Sequence, residues 1–446
     1  MSTQSLNQSR VVVVGLGKSG LSAVRYLRAQ GARIAVTDSR AAPPLLPQLQ
    51  AMDAQLPVRL GAFDAALLDH ADLVVVSPGV PTNGEFFAAA RARRVPVVGD
   101  VELFARAAQA PVVGITGTNG KSTVTTLLGR MAQRAGRRVR VGGNLGEPAL
   151  DLLQSDAELY VLELSSYQLE TTNSLRLAAA VILNISPDHL DRYSDVAGYA
   201  AAKARIYAHC QVAVLNADDA MVAALPTGSA LRRTFSLRAG SDADYRLLQR
   251  GGEQWLGCGN EPLLAVHEMK LAGRHNMANA LASLALGDAL QLPRAAMLAE
   301  LREFAGLAHR TQWVGEKRGV RYIDDSKGTN VGATLAAVAG LDGPLLVIAG
   351  GEGKGQDFSP LRTAFSGKVR LAVLIGRDAR AVGAALTGAC AIEYADTLPQ
   401  AVQIAARGAR AGDTVLLSPA CASLDMFRDY AHRGDVFAAA VQELAA

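Results

Sequence analysis

The 446-residue sequence predicts an α/β protein of three domains, each built on a parallel sheet. Three observations carry that reading. Short β-rich runs alternate with longer helical patterns almost throughout. Two separate apolar strands run straight into glycine-rich loops, VVVVGLGKSG at Val11–Gly20 and GITGTNGKST at Gly114–Thr123. From about residue 307 the strand-then-loop pattern starts again, in RYIDDSKGTN, GPLLVIAGG, RLAVLIG and DTVLLSPACAS. A chain of this length is too long for one core. The expected boundaries are 1–109, 110–306 and 307–446.

In the first block, four valines make a buried parallel strand. Gly15, Gly17 and Gly20 then fit G-x-G-x-x-G at a strand-to-helix turn. Ser19–Gln30 reads as the helix, with Gly31 at its C-terminal end. The next strand, RIAVTD, ends at Asp38, an acid placed to hold a ribose hydroxyl. This unit suits a nucleotide or its diphosphate. It does not choose among NAD, FAD and a UDP-sugar. LVVVSPG (Leu73–Gly79) and VPVVGDVELFARAAQ (Val95–Gln109) complete the block.

The second block opens with a phosphate loop. Gly117, Thr118, Asn119, Gly120, Lys121, Ser122 and Thr123 follow a strand and open the helical pattern STVTTLLGRMAQRAG. Backbone N–H groups and the lysine hold phosphates in such a loop, and the serine reaches Mg²⁺. The strict G-x-x-x-x-G-K-[ST] spacing needs glycine at position 115, where this chain has Ile115. A metal-holding acid is expected at a neighbouring strand end, and YVLELSS supplies Glu163. Strands are expected over Arg137–Asn144, Ala157–Ser166 and Leu177–Ser186, and an antiparallel insertion near Gln249–Leu264. Helical patterns cover Gly273–Leu290 and Arg294–Glu303, and a last helix is expected after Arg433–Gly434.

Bulk properties exclude several classes. A net charge of +4 is small for this length, and no basic stretch carries interleaved aromatics, so no nucleic-acid partner is expected. No apolar run approaches the length of a transmembrane span. The opening MSTQSLNQSR is polar and lacks a signal-like core. Cys210, Cys258, Cys390 and Cys421 are scattered without metal-like spacing. The expectation is a cytoplasmic monomer.

The motifs GTNGKST, GGNLG, ELSSYQLE, NISPDHLDRY, AAKARIY, GRHNMAN, HR, DDSKGTN and SPACASLD, in that order, resemble those of the Mur ligases across essentially the whole chain. These are ATP-dependent amide ligases of peptidoglycan synthesis. The resemblance implies a Rossmann-like UDP-binding domain, a P-loop ATP-binding central domain and a Rossmann-like C-terminal domain. ELSSYQLE, DDSKGTN and LLSPACASLDMF point to the branch that joins D-glutamate to UDP-N-acetylmuramoyl-L-alanine. ATP with one or two Mg²⁺ ions would be the cofactors.

Carried onto this sequence, the resemblance gives Lys121, Glu163, His189 and Lys203 catalytic roles. Ser122, Glu163, His189 and Lys203 would serve the metals, with Lys203 carried as a carbamate. Asn276 would contact adenine, and Arg310 and Asp325 the phosphate and ribose of ATP. Ser19, Gly20, Asp38, Ser39, Arg40 and Gly79 would contact the uridine diphosphate, and Asn144 the muramoyl-alanine end. Lys327, Thr329, Lys354, Ser423 and Phe427 would meet the glutamyl end. Two alternatives stay open, a sister ligase adding another amino acid and an NAD-dependent oxidoreductase. No D-N-P-R motif of the diaminopimelate-adding type occurs. Folate-polyglutamate ligases lack the leading domain that this chain has. An oxidoreductase would leave GTNGKST, Glu163 and DDSKGTN unexplained.

Overall fold

A computed structural model describes residues 6–190, 192–271, 273–341 and 343–444. It holds three sheets in two compact units. The first unit takes in Met1–Asn184, Tyr199–Val266 and Asn279–Leu301. The second takes in Ile185–Gly198, His267–Ala278 and Arg302–Ala446.

The first sheet of the first unit is β1 (Arg10–Val14), β2 (Arg33–Asp38), β3 (Val58–Leu60), β4 (Leu73–Val76) and β5 (Val97–Gly99). It is parallel, in the order β3-β2-β1-β4-β5. Val12, Val14, Val74 and Val76 pack with Phe86 and Phe87 on one face. The order reverses between β1 and β4, which opens a crevice at their C-terminal ends. Gly15–Gly20 and Ser77–Gly79 lie at those ends.

The second sheet holds β6 (Val112–Thr116), β7 (Val139–Gly143), β8 (Leu159–Glu163), β9 (Leu177–Ile182), β10 (Cys210–Asn216), β11 (Leu231–Ser236), β12 (Tyr245–Arg250), β13 (Glu253–Cys258) and β14 (Glu261–Ala265). Its order is β14-β13-β12-β11-β10-β9-β6-β8-β7. Strands β6 to β12 pair in parallel, and β12, β13 and β14 form the expected antiparallel insertion. Thus the phosphate loop follows β6, Glu163 ends β8 and Asn184 lies just past β9, all at C-terminal strand ends.

The second unit carries β15 (Gln312–Lys317), β16 (Val320–Asp324), β17 (Leu345–Gly350), β18 (Val369–Ile375), β19 (Ala391–Tyr394) and β20 (Thr414–Leu417). They run in the order β15-β16-β20-β17-β18-β19. Only β15 pairs antiparallel with its neighbour among these strands. Along β17, Leu345, Val347 and Ala349 join one apolar layer, and Leu346 and Ile348 join the other. A sheet covered on both faces reads as a continuous apolar run, which is why β16, β17, β18 and β20 were legible, whereas the largely exposed edge strands β15 and β19 were passed over.

The last helix differs from expectation. It spans Tyr430–Gln442, so Arg433 and Gly434 lie inside it. Arg433 is fully buried and donates to the Ser326 hydroxyl and the carbonyls of Ser326 and Cys421. A Cβ on Gly434 would fall 2.1 Å from His309 Nδ1 and 2.6 Å from Asp324 Oδ2. The glycine gives room for those two side chains and does not break the helix. Among the described residues, no helix is long and apolar enough to cross a membrane.

Candidate active site

The phosphate loop explains its own departure from the strict spacing. Ile115 is fully buried in β6, in register with Glu163 on β8 and Val181 on β9. The turn begins two residues later, where Gly117 takes φ +146° and Gly120 takes φ +84° at the start of the helix Lys121–Arg134. Both angles suit glycine. A side chain on Gly120 would also meet Asn279 Oδ1 at 2.6 Å. Lys121 Nζ donates to the carbonyls of Gly117 and Thr118 at 2.9 and 2.8 Å. The ammonium therefore lies over the loop whose N–H groups open the helix.

Asn184, which the sequence reading passed over, fixes the loop from β9. It accepts from Asn119 N–H at 2.8 Å and donates to the Asn119 carbonyl at 3.0 Å. Its own carbonyl accepts from Thr118 N–H at 2.9 Å. The signal was present, since Asn184 closes the apolar run of β9 just past its end, as Glu163 closes that of β8.

Glu163 is 3% exposed. The Ser122 hydroxyl donates to its Oε2 at 2.6 Å and the Asn144 amide to its Oε1 at 2.7 Å, while Asn144 N–H takes the Glu163 carbonyl. A hydroxyl and a carboxylate at the mouth of a phosphate loop are hard oxygen donors. They fit Mg²⁺, which completes its shell with waters and phosphate oxygens. Among the described residues, no three or more His, Cys, Asp or Glu side chains gather as a metal cage.

Lys203 is 2% exposed on the helix Val196–Ala204. Its Nζ donates to Thr116 Oγ1 at 3.3 Å and lies 4.5 Å from the centre of the Tyr199 ring. Tyr199 OH in turn accepts from Thr118 Oγ1 at 3.3 Å. Thr123 is buried beside the loop.

In the first sheet, Asp38 turns inward. Its carboxylate accepts from Leu16 N–H at 2.7 Å and from the Arg40 N–H and guanidinium at 2.7 to 2.9 Å. Burial raises its pKa, but the Arg40 side chain and the Leu16 and Arg40 N–H groups outweigh that and hold it at about 2. Asp38 thus shapes the loop after β1. Gly20 is needed for close packing, because a Cβ there would lie 1.9 Å from the Gly15 carbonyl oxygen. Ser77 Oγ donates to that same oxygen at 2.7 Å. Ser39, Arg40 and Gly79 are exposed around the crevice, and Ser19 is partly so.

The second unit gathers DDSKGTN around two strand ends. Asp325 accepts from Ser418 Oγ at 2.8 Å, and from Thr311 N–H and Oγ1 at 3.1 and 3.4 Å. Burial pushes its pKa up to about 7. Ser418, Thr311 and the Arg310 charge pull against that, and neighbouring Asp324 adds to it. His309 Nδ1 is 2.7 Å from Asp324 Oδ2. Lys327 Nζ lies 3.8 Å from the centre of the Tyr430 ring, and Thr329 N–H donates to the Lys327 carbonyl. Ser423 is buried and its carbonyl accepts from Phe427 N–H. Lys354 is exposed, at φ +53°. Asn276 is buried near the start of the helix Arg274–Ala289. His189, at φ +56°, sits with Asp188, whose carboxylate accepts from Asn330 Nδ2 at 3.3 Å. Asn330 also caps the helix Val331–Gly340. The motifs NISPDHLDRY and DDSKGTN therefore meet within this unit.

Three family models match the chain. The Mur ligase MurD-like N-terminal domain covers residues 9–99, the Mur ligase middle domain 115–287, and the Mur ligase glutamate ligase domain 309–421. The chain belongs to the Mur ligase family. A relative from Nitrosococcus oceani, named UDP-N-acetylmuramoylalanine–D-glutamate ligase, is 53% identical over 97% of this chain and 96% of its own. A Pseudomonas aeruginosa protein of the same name is 51% identical over 97% of this chain and 98% of its own. Among solved structures, a UDP-N-acetylmuramate-alanine ligase from Thermotoga maritima aligns with TM-score 0.62 at 20% identity. It covers 97% of this chain and 99% of that one. MurF from Acinetobacter baumannii also gives 0.62, at 19% identity, over 98% of this chain and 92% of that one. These structural likenesses establish the Mur ligase fold for the three sheets.

Proposed function

We propose that this Mur ligase uses ATP to join D-glutamate to UDP-N-acetylmuramoyl-L-alanine in peptidoglycan synthesis. The observation that carries the ATP reading is the buried Ser122–Glu163 pair at the mouth of the Gly117–Ser122 loop. The choice of D-glutamate rests on the relatives' shared name and on the DDSKGTN and SPACASLD motifs.

In this reading the carboxylate of the muramoyl-alanine substrate attacks the γ-phosphorus of ATP and ADP leaves. The amine of D-glutamate then attacks the acyl carbon of the acyl phosphate, and phosphate is expelled. Every reactant is anionic, so the residues must first neutralise charge. Lys121 and the loop N–H groups hold the phosphates, and Ser122 and Glu163 would hold Mg²⁺, with His189 and Lys203 serving a second ion. Bound Mg²⁺ supplies charge neutralisation and alignment of the phosphate oxygens. Asn276, Arg310 and Asp325 contact ATP. Ser19, Gly20, Asp38, Ser39, Arg40, Gly79 and Asn144 serve the nucleotide substrate, and Lys327, Thr329, Lys354, Ser423 and Phe427 the glutamyl end.

The test is ATP-dependent phosphate release with UDP-N-acetylmuramoyl-L-alanine and D-glutamate. Parallel reactions use L-glutamate, D-alanine and meso-diaminopimelate. Release with D-glutamate alone is expected. Release with another amine instead moves the chain to a sister step. A carbamate on Lys203 has its own check. Lys203→Ala should abolish turnover, and high bicarbonate or short-chain carboxylates should restore part of it.

A further inference from the structure

Two acids stand two residues apart at the start of the helix Asp100–Ala107, where the first sheet's domain meets the central one. Their surroundings are opposite. Glu102 accepts from Asn173 N–H at 2.7 Å, from Ser174 N–H and Oγ at 2.8 Å, and from Arg106 Nε at 3.0 Å. With Gly99 N–H donating to the Thr171 carbonyl at 3.1 Å, these bonds hold the junction together. Asp100 is 1% exposed, yet among the described residues neither carboxyl oxygen has a partner of hydrogen-bond geometry.

Beside Asp100 stand the side chains of Ser19 and Gln168. Burial raises the Asp100 pKa, and Ser19, the Val101 and Asp100 N–H groups and Gln168 only partly oppose it. Ser19 opens the helix after the first glycine loop, and its helix packs on the Asp100 helix. Gln168 lies on the helix Ser166–Glu170, which leads on from Glu163 and packs on the same helix. Gln168 Oε1 already accepts from Ser165 N–H and Oγ, which leaves its amide N–H groups to face other partners.

An unpartnered buried carboxyl is costly, and an apolar side chain of equal size would serve docking better. Glu102 already supplies the docking. The group at position 100 therefore calls for another use. We propose that Asp100 is a positioning residue for the nucleotide substrate, setting the Ser19 hydroxyl toward the diphosphate and tying it to Gln168 in the central domain. As a neutral acid it donates its proton to Ser19 Oγ, which leaves the serine O–H free to donate to an anionic oxygen. Its carbonyl oxygen accepts from the Gln168 amide. This rests on the reading of the first domain as the site of a UDP-linked substrate.

Calorimetric titration of UDP-N-acetylmuramoyl-L-alanine, and separately of ATP, into the full chain tests it. Asp100→Leu should weaken the UDP-substrate about tenfold, the loss of one hydrogen bond to a charged group, with ATP affinity unchanged. Its thermal midpoint should equal or exceed that of the unaltered protein. Asp100→Asn, which can still donate to Ser19 and accept from Gln168, should bind normally. In a Ser19→Ala background, Asp100→Leu should cost nothing further. Asp100→Ala replaces the leucine variant if that one does not fold. Unchanged affinity in a folded Asp100→Leu or Asp100→Ala protein, or additive losses with Ser19→Ala, overturns the proposal. If the unaltered chain itself fails to bind the UDP-substrate, the functional reading falls together with it.

Discussion

Asp38 and Asp325 invite comparison. Each follows or ends a parallel strand, in two different sheets, and each is buried, at 2% and 8% exposure. Yet one carboxyl is held at about 2 and the other is pushed up to about 7. Burial acts on both in the same direction. The difference lies in the donors. Asp38 binds the Arg40 guanidinium through both oxygens and two backbone N–H groups besides. Asp325 takes two hydroxyls and one N–H, beside the like charge of Asp324. An acid at a strand end therefore has no fixed character. A bound guanidinium makes Asp38 a permanent anion that shapes its loop, while Asp325 stays poised to change charge near neutrality.

The sharpest way to break this comparison is kinetic. Asp325→Ala should lower kcat/KM about a hundredfold, about 3 kcal/mol of transition-state stabilisation, through ATP and not the UDP-substrate. Asp38→Ala should instead raise KM for the UDP-substrate. If steady-state phosphate release shows both variants shifting one parameter, the two acids do not divide as described.

Next comes stability in urea. Asp38→Ala leaves Leu16 N–H and Arg40 without their acceptor and should cost about 2–3 kcal/mol. Asp325→Ala removes a carboxyl that burial already penalises and should cost about 1 kcal/mol or less. A reversed ranking would break the comparison.

A smaller effect lies in the pH dependence. The folded pKa of Asp38 is below its ordinary 3.8, so its stabilisation is complete above that value and is lost as pH falls toward about 2. The folded pKa of Asp325 is above its ordinary 3.8, so the folded state binds the extra proton between 3.8 and about 7. Its contribution is full at the acid end of that window and declines as pH rises through it. Asp325→Asn should flatten unfolding free energy over the upper window, and Asp38→Asn over the lower one. Smallest of all, Ser418→Ala removes one donor from Asp325 and should push its titration higher, at a cost of about 1 kcal/mol. NMR titration of the Asp325 carboxyl would show the shift, and no upward movement would remove Ser418 from the account.

Much of this was legible in the sequence. The apolar runs marked the central strands of all three sheets but passed over β3, β10, β11, β15 and β19, and the glycine loops marked where β1 and β6 end. Glu163 stood out because an acid closing a buried strand must have a partner. The ordered motifs carried the family. What stayed hidden was which side chains face one another. Asn184 reaches Asn119 across 65 residues, Asp151 accepts from Ser22 across 129, and Arg433 reaches Ser326 across 107.

Sequence pattern by itself determined the central strands, several helices and the glycine loops, because periodicity and turn chemistry act over a few neighbouring residues. Tertiary structure decided the rest. It bound Asp38, which the sequence offered as a ribose acceptor, to Leu16 N–H and Arg40 as well, so that it also anchors its own loop. It drew Arg433 and Gly434 into the last helix, where burial and close packing outweigh glycine's tendency to end one. It left Asp100 buried without a bonded partner among the described residues, two residues from the fully bonded Glu102. Charge, burial and hydrogen bonding at these positions depend on groups brought close by folding, and no local pattern encodes them.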